Sequence, residues 1–121
     1  MAAPNLKNPT TINGKTARYA VTASLAAALS NGSSSGKALK INTILCANVD
    51  GTNAADITVE VSVDNGSNFV AIAKTISVPA DATLSLLESP IYLDETDLLY
   101  FTASAANDLT YFVSYEELDD A

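Results

Sequence analysis

Histidine is absent from the 121 residues, and its absence removes the usual proton acceptor for a Ser or Cys nucleophile, so a His-based hydrolytic triad is excluded. A single cysteine and no histidine leave zinc without its preferred ligands. Cys46 has no partner for an intrachain disulfide, and its setting, Ile44-Leu45-Cys46-Ala47, reads as that of a buried small hydrophobe. Tryptophan is also absent, so any aromatic surface rests on five Tyr and three Phe. No run of ~18 apolar residues could span a bilayer, and Met1 to Lys7 lacks the apolar core of a signal peptide. A soluble protein with no visible export signal, and no membrane partner, is the expectation.

Acids are missing from the first 49 residues and bases are nearly missing from the rest. Lys7, Lys15, Arg18, Lys37 and Lys40 precede Asp50 with no Asp or Glu among them, whereas Lys74 is the one base among fourteen acids thereafter. The net charge of −8 disfavours nucleic acid as a partner, because phosphate binding needs clustered Lys and Arg. Segregation this sharp points to surfaces of opposite sign that meet, within one molecule or between neighbours.

What is present is aliphatic residues in short alternating runs. A chain of this length fits one domain and one core. Residues 1–11, with Pro4 and Pro9, read as an extended N-terminal arm, residues 12–116 as a single domain, and residues 117–121 as a solvated acidic tail. After an Asn13-Gly14 turn, Thr16 to Thr22 alternates as a strand. Ser24 to Leu29 is ambiguous: alanine favours helix, but the segment is short and stops at Ser30-Asn31-Gly32, so strand is preferred.

Lys37 to Val49 reads as a long strand with Leu39, Ile41, Thr43 and Leu45 on one face. Ile57, Val59, Val61 and Val63 alternate with Thr58, Glu60 and Ser62, the pattern of a sheet with one wet face. Asp64-Asn65-Gly66-Ser67-Asn68 then predicts a hairpin into Phe69 to Ala73. Ile76 and Val78 form a short strand before the turn Pro79-Ala80-Asp81-Ala82. Leu84 to Leu86 and Pro90 to Leu93 follow, and Leu98 to Ala103 with Leu109 to Tyr115 reads as a last hairpin. Asn31-Gly32-Ser33 and Asn65-Gly66-Ser67 match the glycosylation pattern but read as turns. Eight to nine short strands without an amphipathic helix predict an all-β antiparallel β-sandwich with jelly-roll or Greek-key connections.

Candidate sites are few. Glu88, Asp94, Glu95 and Asp97 could pair as glycosidase carboxylates, but that chemistry needs an enclosed cleft and perturbed acidities. Asp50, Thr52, Asn53 and Asp56 in one loop, and Asp94, Glu95 and Asp97 in another, offer oxygens to calcium without the spacing of a helix-loop-helix site, and turn chemistry accounts for both groups. No catalytic, metal or cofactor residue is assigned, and the chain is expected not to be an enzyme. Adjacent aromatics, Tyr100-Phe101 and Tyr111-Phe112, must place one ring on each strand face, one in the core and one available to a neighbour or a sugar. The residues nominated for an interface are Lys7, Lys15, Arg18, Tyr100 and Tyr111.

Three segments carry a family resemblance. Asn8 to Thr16, Leu39 to Val59 around Ala47-Asn48-Val49-Asp50-Gly51-Thr52-Asn53, and Ile76 to Glu117 around Pro79-Ala80-Asp81-Ala82-Thr83 together resemble small virion structural proteins of tailed bacteriophages, including cyanophages. The resemblance implies a virion protein that works by self-association, as a homo-oligomer such as a trimer. It would dock on the major capsid protein as a capsid decoration (cement) protein on the capsid surface, with a neck, tail or baseplate component as the alternative. A carbohydrate-binding module for host recognition is the reading from a different class. The acid-free arm and first strand are where an acidic copy or shell is expected to dock.

Overall fold

Strands rich in Val, Ile and Leu with one polar face must bury the other, and two sheets facing each other meet that need. The structure is a computed structural model describing residues 11–119, and nine strands and no helix occur among those residues. They are β1 (Thr11–Ala20), β2 (Ala26–Ser30), β3 (Lys37–Asn48), β4 (Ala55–Ser62), β5 (Val70–Val78), β6 (Thr83–Ser85), β7 (Ile91–Leu93), β8 (Leu98–Ala103) and β9 (Leu109–Asp119). One sheet has the order β1-β9-β3-β6, with β7 also on β3, and the other has the order β2-β8-β4-β5. All pairings are antiparallel. Most successive strands change sheet, as in the sandwich with jelly-roll or Greek-key connections that the sequence predicts. Ile41, Ile44 and Val113 from the first sheet and Ile57, Val59 and Leu99 from the second are almost fully buried between them.

The hairpin expected from Leu98 to Tyr115 does not form. β8 lies between β2 and β4, and β9 lies between β1 and β3 in the opposite sheet. The turn at residues 104–108 therefore carries the chain across the sandwich. The strands meet face to face instead: the Phe101 and Tyr111 rings pack edge to face with centroids 4.6 Å apart. Nor does Asn13-Gly14 turn the chain. Both residues lie within β1, paired with Glu117 and Glu116, because a ten-residue ladder to β9 outweighs the local turn preference. The arm assigned to residues 1–11 lies outside the described residues apart from Thr11, which opens β1. Residues 117–119, read as tail, continue β9, anchored by buried Leu118.

β3 departs from strict alternation. Its register against β9 shifts between Ile41 and Thr43, so Asn42 is the extra residue of a bulge. Beyond it the buried side chains are Ile44, Cys46 and Asn48, where alternation from Leu39 predicted Thr43 and Leu45. Deleting Asn42 should consequently preserve the inward set and cost only about 1 kcal/mol, through the lost Nδ2 bond to Glu116 Oε1 (3.1 Å). A thermal melt followed by circular dichroism checks this, with an unfolded variant as the contrary result. Similarly, Phe69 to Ala73 and Ile76 to Val78, read as two strands, merge into one β5 that begins at Val70, bent where Thr75 adopts φ 48° and its N–H donates to Thr58 Oγ1 (3.0 Å).

The two ends of the sandwich are fastened by buried asparagines. Asn31, just after β2, donates from Nδ2 to Lys37 O (2.9 Å) and Leu93 O (3.0 Å) and accepts at Oδ1 from Ser35 Oγ, joining both sheets. At the other end Asn48 donates to Asn53 O and Val78 O (both 2.9 Å) and accepts from Asp50 N (2.9 Å). Cys46 is fully buried, and burial pushes its thiol up to about 11. It should react with Ellman's reagent only after denaturation, and rapid labelling of the native protein would contradict this placement.

Candidate functional site

The charge segregation closes within the chain. Because β9 lies between β1 and β3, its acids are flanked by the early bases: Lys15 Nζ meets Glu117 Oε2 at 3.2 Å, Lys37 Nζ meets Glu117 Oε1 at 3.0 Å, and Lys40 Nζ lies 3.9 Å from Glu116 Oε1. The hydrogen bond from Lys37 holds the Glu117 carboxyl below its usual range, and Glu117 raises Lys37 in turn. The first-strand base Lys15 is thus already occupied. Arg18, paired across the ladder with Phe112, makes no ion pair among the described residues.

Three shallow depressions converge on this strand. One of about 280 Å³ runs between Tyr19, Ala20, Val21 and Phe101, another of about 410 Å³ lies between Arg18, Tyr19, Tyr111 and Phe112, and a third of about 360 Å³ is bounded by Thr16, Ala17, Leu29 and Tyr115. They exist because β1 is an edge strand: only Ala17 is even half-buried, and Tyr19 stands 74% exposed. Tyr111 turns inward on Phe101, and its ring centroid lies 6.4 Å from that of Tyr19 at the groove. Burial, with Tyr19 beside it, raises the Tyr111 phenol.

Of the nominated interface residues, the fold brings Arg18 and Tyr111 together at one depression, while Lys15, also on β1, lines none of the three and engages Glu117. Tyr100 is elsewhere, paired with Glu60 in the second sheet, and its ring meets Phe69 edge to face at 4.9 Å. Lys7 lies outside the described residues. Tyr19 and Phe112 join the group; the adjacency Tyr111-Phe112 signalled Phe112, while Tyr19 read only as a strand residue. Glu116 and Glu117 were missed as partners of Lys15, Lys37 and Lys40 because the acidic run read as a tail.

The loop acids serve the backbone. Asp50 Oδ1 accepts from Thr52 N (2.8 Å) and Asn53 N (3.3 Å), Glu95 Oε2 from Gly36 N (2.9 Å), and Asp97 Oδ2 from Asp94 N (2.8 Å). Among the described residues no three His, Cys, Asp or Glu side chains are grouped to hold a metal, and no helix is long and apolar enough to cross a membrane. Asp64 closes the β4-β5 turn, accepting from Asn68 Nδ2 (2.7 Å), Asn68 N (2.8 Å) and Ser62 Oγ (2.9 Å), which lowers its pKa to about 2. A depressed folded pKa stabilises above the unfolded value and is lost as pH falls toward the folded one. Asp64→Ala should therefore lower Tm at neutral pH, with the gap to the unaltered protein closing between about pH 4 and pH 2; a gap independent of pH would refute it.

Neither a protein-family model nor a curated protein sequence matches the chain. Among solved structures it is similar to the Bacillus endospore appendages that form a family of disulfide-linked pili, with 14% identity, 100% of this chain and 98% of that one covered, and a TM-score of 0.54. That likeness extends to the fold. Two structures of a pentameric capsid protein from metagenomic phage sequences align at 15% identity and a TM-score of 0.43, over 86% of this chain and 62% and 63% of theirs.

Proposed function

We propose that the chain is a non-enzymatic structural protein of a tailed-phage virion, a capsid decoration protein that works by self-association and by docking on the major capsid protein. The observation that carries this reading is the open ground around the edge strand β1, where Arg18 and Tyr19 meet Tyr111 and Phe112 of the neighbouring β9. Aromatic residues and arginine are what protein interfaces enrich, and shallow depressions suit a partner surface better than a small substrate. The sequence resemblance to virion proteins supplies the setting. The pilus fold neighbour is compatible with an assembling role, although the buried Cys46 offers no comparable disulfide link.

A neck or tail position uses the same surfaces and differs in copy number. Sugar recognition gains no support from Tyr100, which Phe69 partly covers. Electron microscopy of virions carrying a tagged copy tests the proposal. Hundreds of copies over the shell support decoration, few copies at one vertex or rings along a tube transfer the role to the neck or tail, and absence from purified virions overturns both.

A further inference from the structure

Among the described residues, the outer edge of β1 is a row of backbone groups with no strand beside it and with a definite phase. Its ladder to β9 runs from Thr11 to Ala20 without a register shift, and one residue beyond, Val21 N donates to Leu109 O at 2.8 Å. In an antiparallel ladder the groups that face one neighbour recur every second residue. Odd-numbered residues of β1 therefore bond β9, and the N–H and C=O of Ile12, Gly14, Thr16, Arg18 and Ala20 point away from the molecule. The other edges are interrupted: β2 and β5 carry register shifts, β5 adds Lys74, and the far side of β3 is divided between three-residue strands. Such interruptions are how sheets discourage edge pairing, and β1 has none in its ladder.

We propose that β1 pairs antiparallel with β1 of a second copy, centred on Thr16, to make one continuous sheet across a two-fold axis. The proposal rests on the self-associating reading above and specifies its contact. A two-fold axis normal to the sheet keeps each face continuous, and bonding between outward groups then requires even-numbered residues to face even-numbered residues. Centring on Lys15 sets two lysines opposite each other, which is unfavourable. Centring on Thr16 sets Ile12 opposite Ala20 and Gly14 opposite Arg18 of the other copy, and moves the two lysines from directly opposite to diagonal positions about 7–8 Å apart, each facing Ala17.

That register also gives Arg18 a partner. Along the row Arg18 is followed by Gly14 of the second copy and then by Glu116 of that copy, which pairs with Gly14 within its own chain. Two strand spacings amount to about 10 Å, a span that an arginine and a glutamate side chain bridge together. Gly14 presents no side chain to block the crossing, with no heavy atom within 4 Å of where a Cβ would stand. Among the described residues, Glu116 is held within its own chain by Asn42 and by Lys40 at 3.9 Å. The contact is two-fold, in contrast to the trimer inferred from sequence.

Analytical ultracentrifugation of the full chain tests the pairing. The unaltered protein should dimerise, and Thr16→Pro, which removes an outward N–H and spares the bonds to β9, should raise the dimer dissociation constant at least 100-fold with an unchanged β-type circular dichroism spectrum. Arg18→Glu should weaken dimerisation at least tenfold, and Arg18→Glu with Glu116→Arg should recover most of that loss. Thr16→Cys should cross-link to its own copy with a short bis-maleimide, with Lys74→Cys as the negative control. A monomer at millimolar concentration overturns both this contact and the self-associating reading. An oligomer that ignores the charge variants and fails to cross-link at Thr16→Cys overturns the contact alone.

Discussion

Replacing Phe101 with alanine is expected to lower the unfolding free energy by about 4 kcal/mol, a large share of what a domain of this size has. Phe101 is 2% exposed and lies where the sheets meet, packed against Tyr111 of the opposite sheet. Removing the ring loses its transfer energy and leaves a void that rigid β8 and β9 cannot collapse to fill. The edge-to-face geometry adds a further contribution that leucine cannot replace. Phe101→Leu should cost about half as much, since it keeps much of the apolar volume. Urea denaturation monitored by far-ultraviolet circular dichroism measures both, and an alanine variant within 1 kcal/mol of the unaltered protein, on the scale of cavity costs, would show that the ring does not clamp the sheets.

The sequence announced most strands because their alternation is local, as at Ile57 and Val59, and because Asn65 and Gly66 both take positive φ in the turn that their identities suggest. It could not announce which strands pair. Leu98–Ala103 and Leu109–Asp119 flank a short polar turn, the pattern of a hairpin, yet each is a central strand of a different sheet and their contact is through side chains. The Asn42 bulge left no local mark either, because Lys40, Asn42 and Thr43 are all polar enough to face water and the shift is imposed by β9.

The site was legible by residue type more than by place. Arg18 and Tyr111 were nominated as the side chains that interfaces favour, and the fold sets them around the same depression. Tyr100 had the same credentials and is on the other sheet, because an aromatic pair on a strand reports its two faces and not which sheet it joins. The acids of β9 misled for a related reason. Glu116, Glu117 and Asp119 look like a tail until Leu118 is seen buried and Glu117 is placed between two lysines from strands on either side.

Asn48 should be nearly as sensitive as Phe101, although nothing about it is apolar. Its side chain accounts for three hydrogen bonds that connect β3, the loop at residues 50–53 and the end of β5, all at the same 2.9 Å. Asn48→Leu keeps the volume but strands Val78 O, Asn53 O and Asp50 N, and at the cost of unmade buried bonds it should destabilise by about 3 kcal/mol. Asn48→Asp separates shape from bonding. It retains the acceptor for Asp50 N and turns a second oxygen toward two carbonyls, so folding favours its protonated form and raises its pKa above the unfolded value. A carboxyl raised in this way is best tolerated below about pH 4 and destabilises progressively as pH rises past it. Asn48→Asp should thus be less stable at pH 7 than at pH 4 relative to the unaltered protein, whereas Asn48→Leu should show no such trend. If both variants melt alike at both pH values, the loss comes from packing and the clasp assigned to the asparagine amide is wrong.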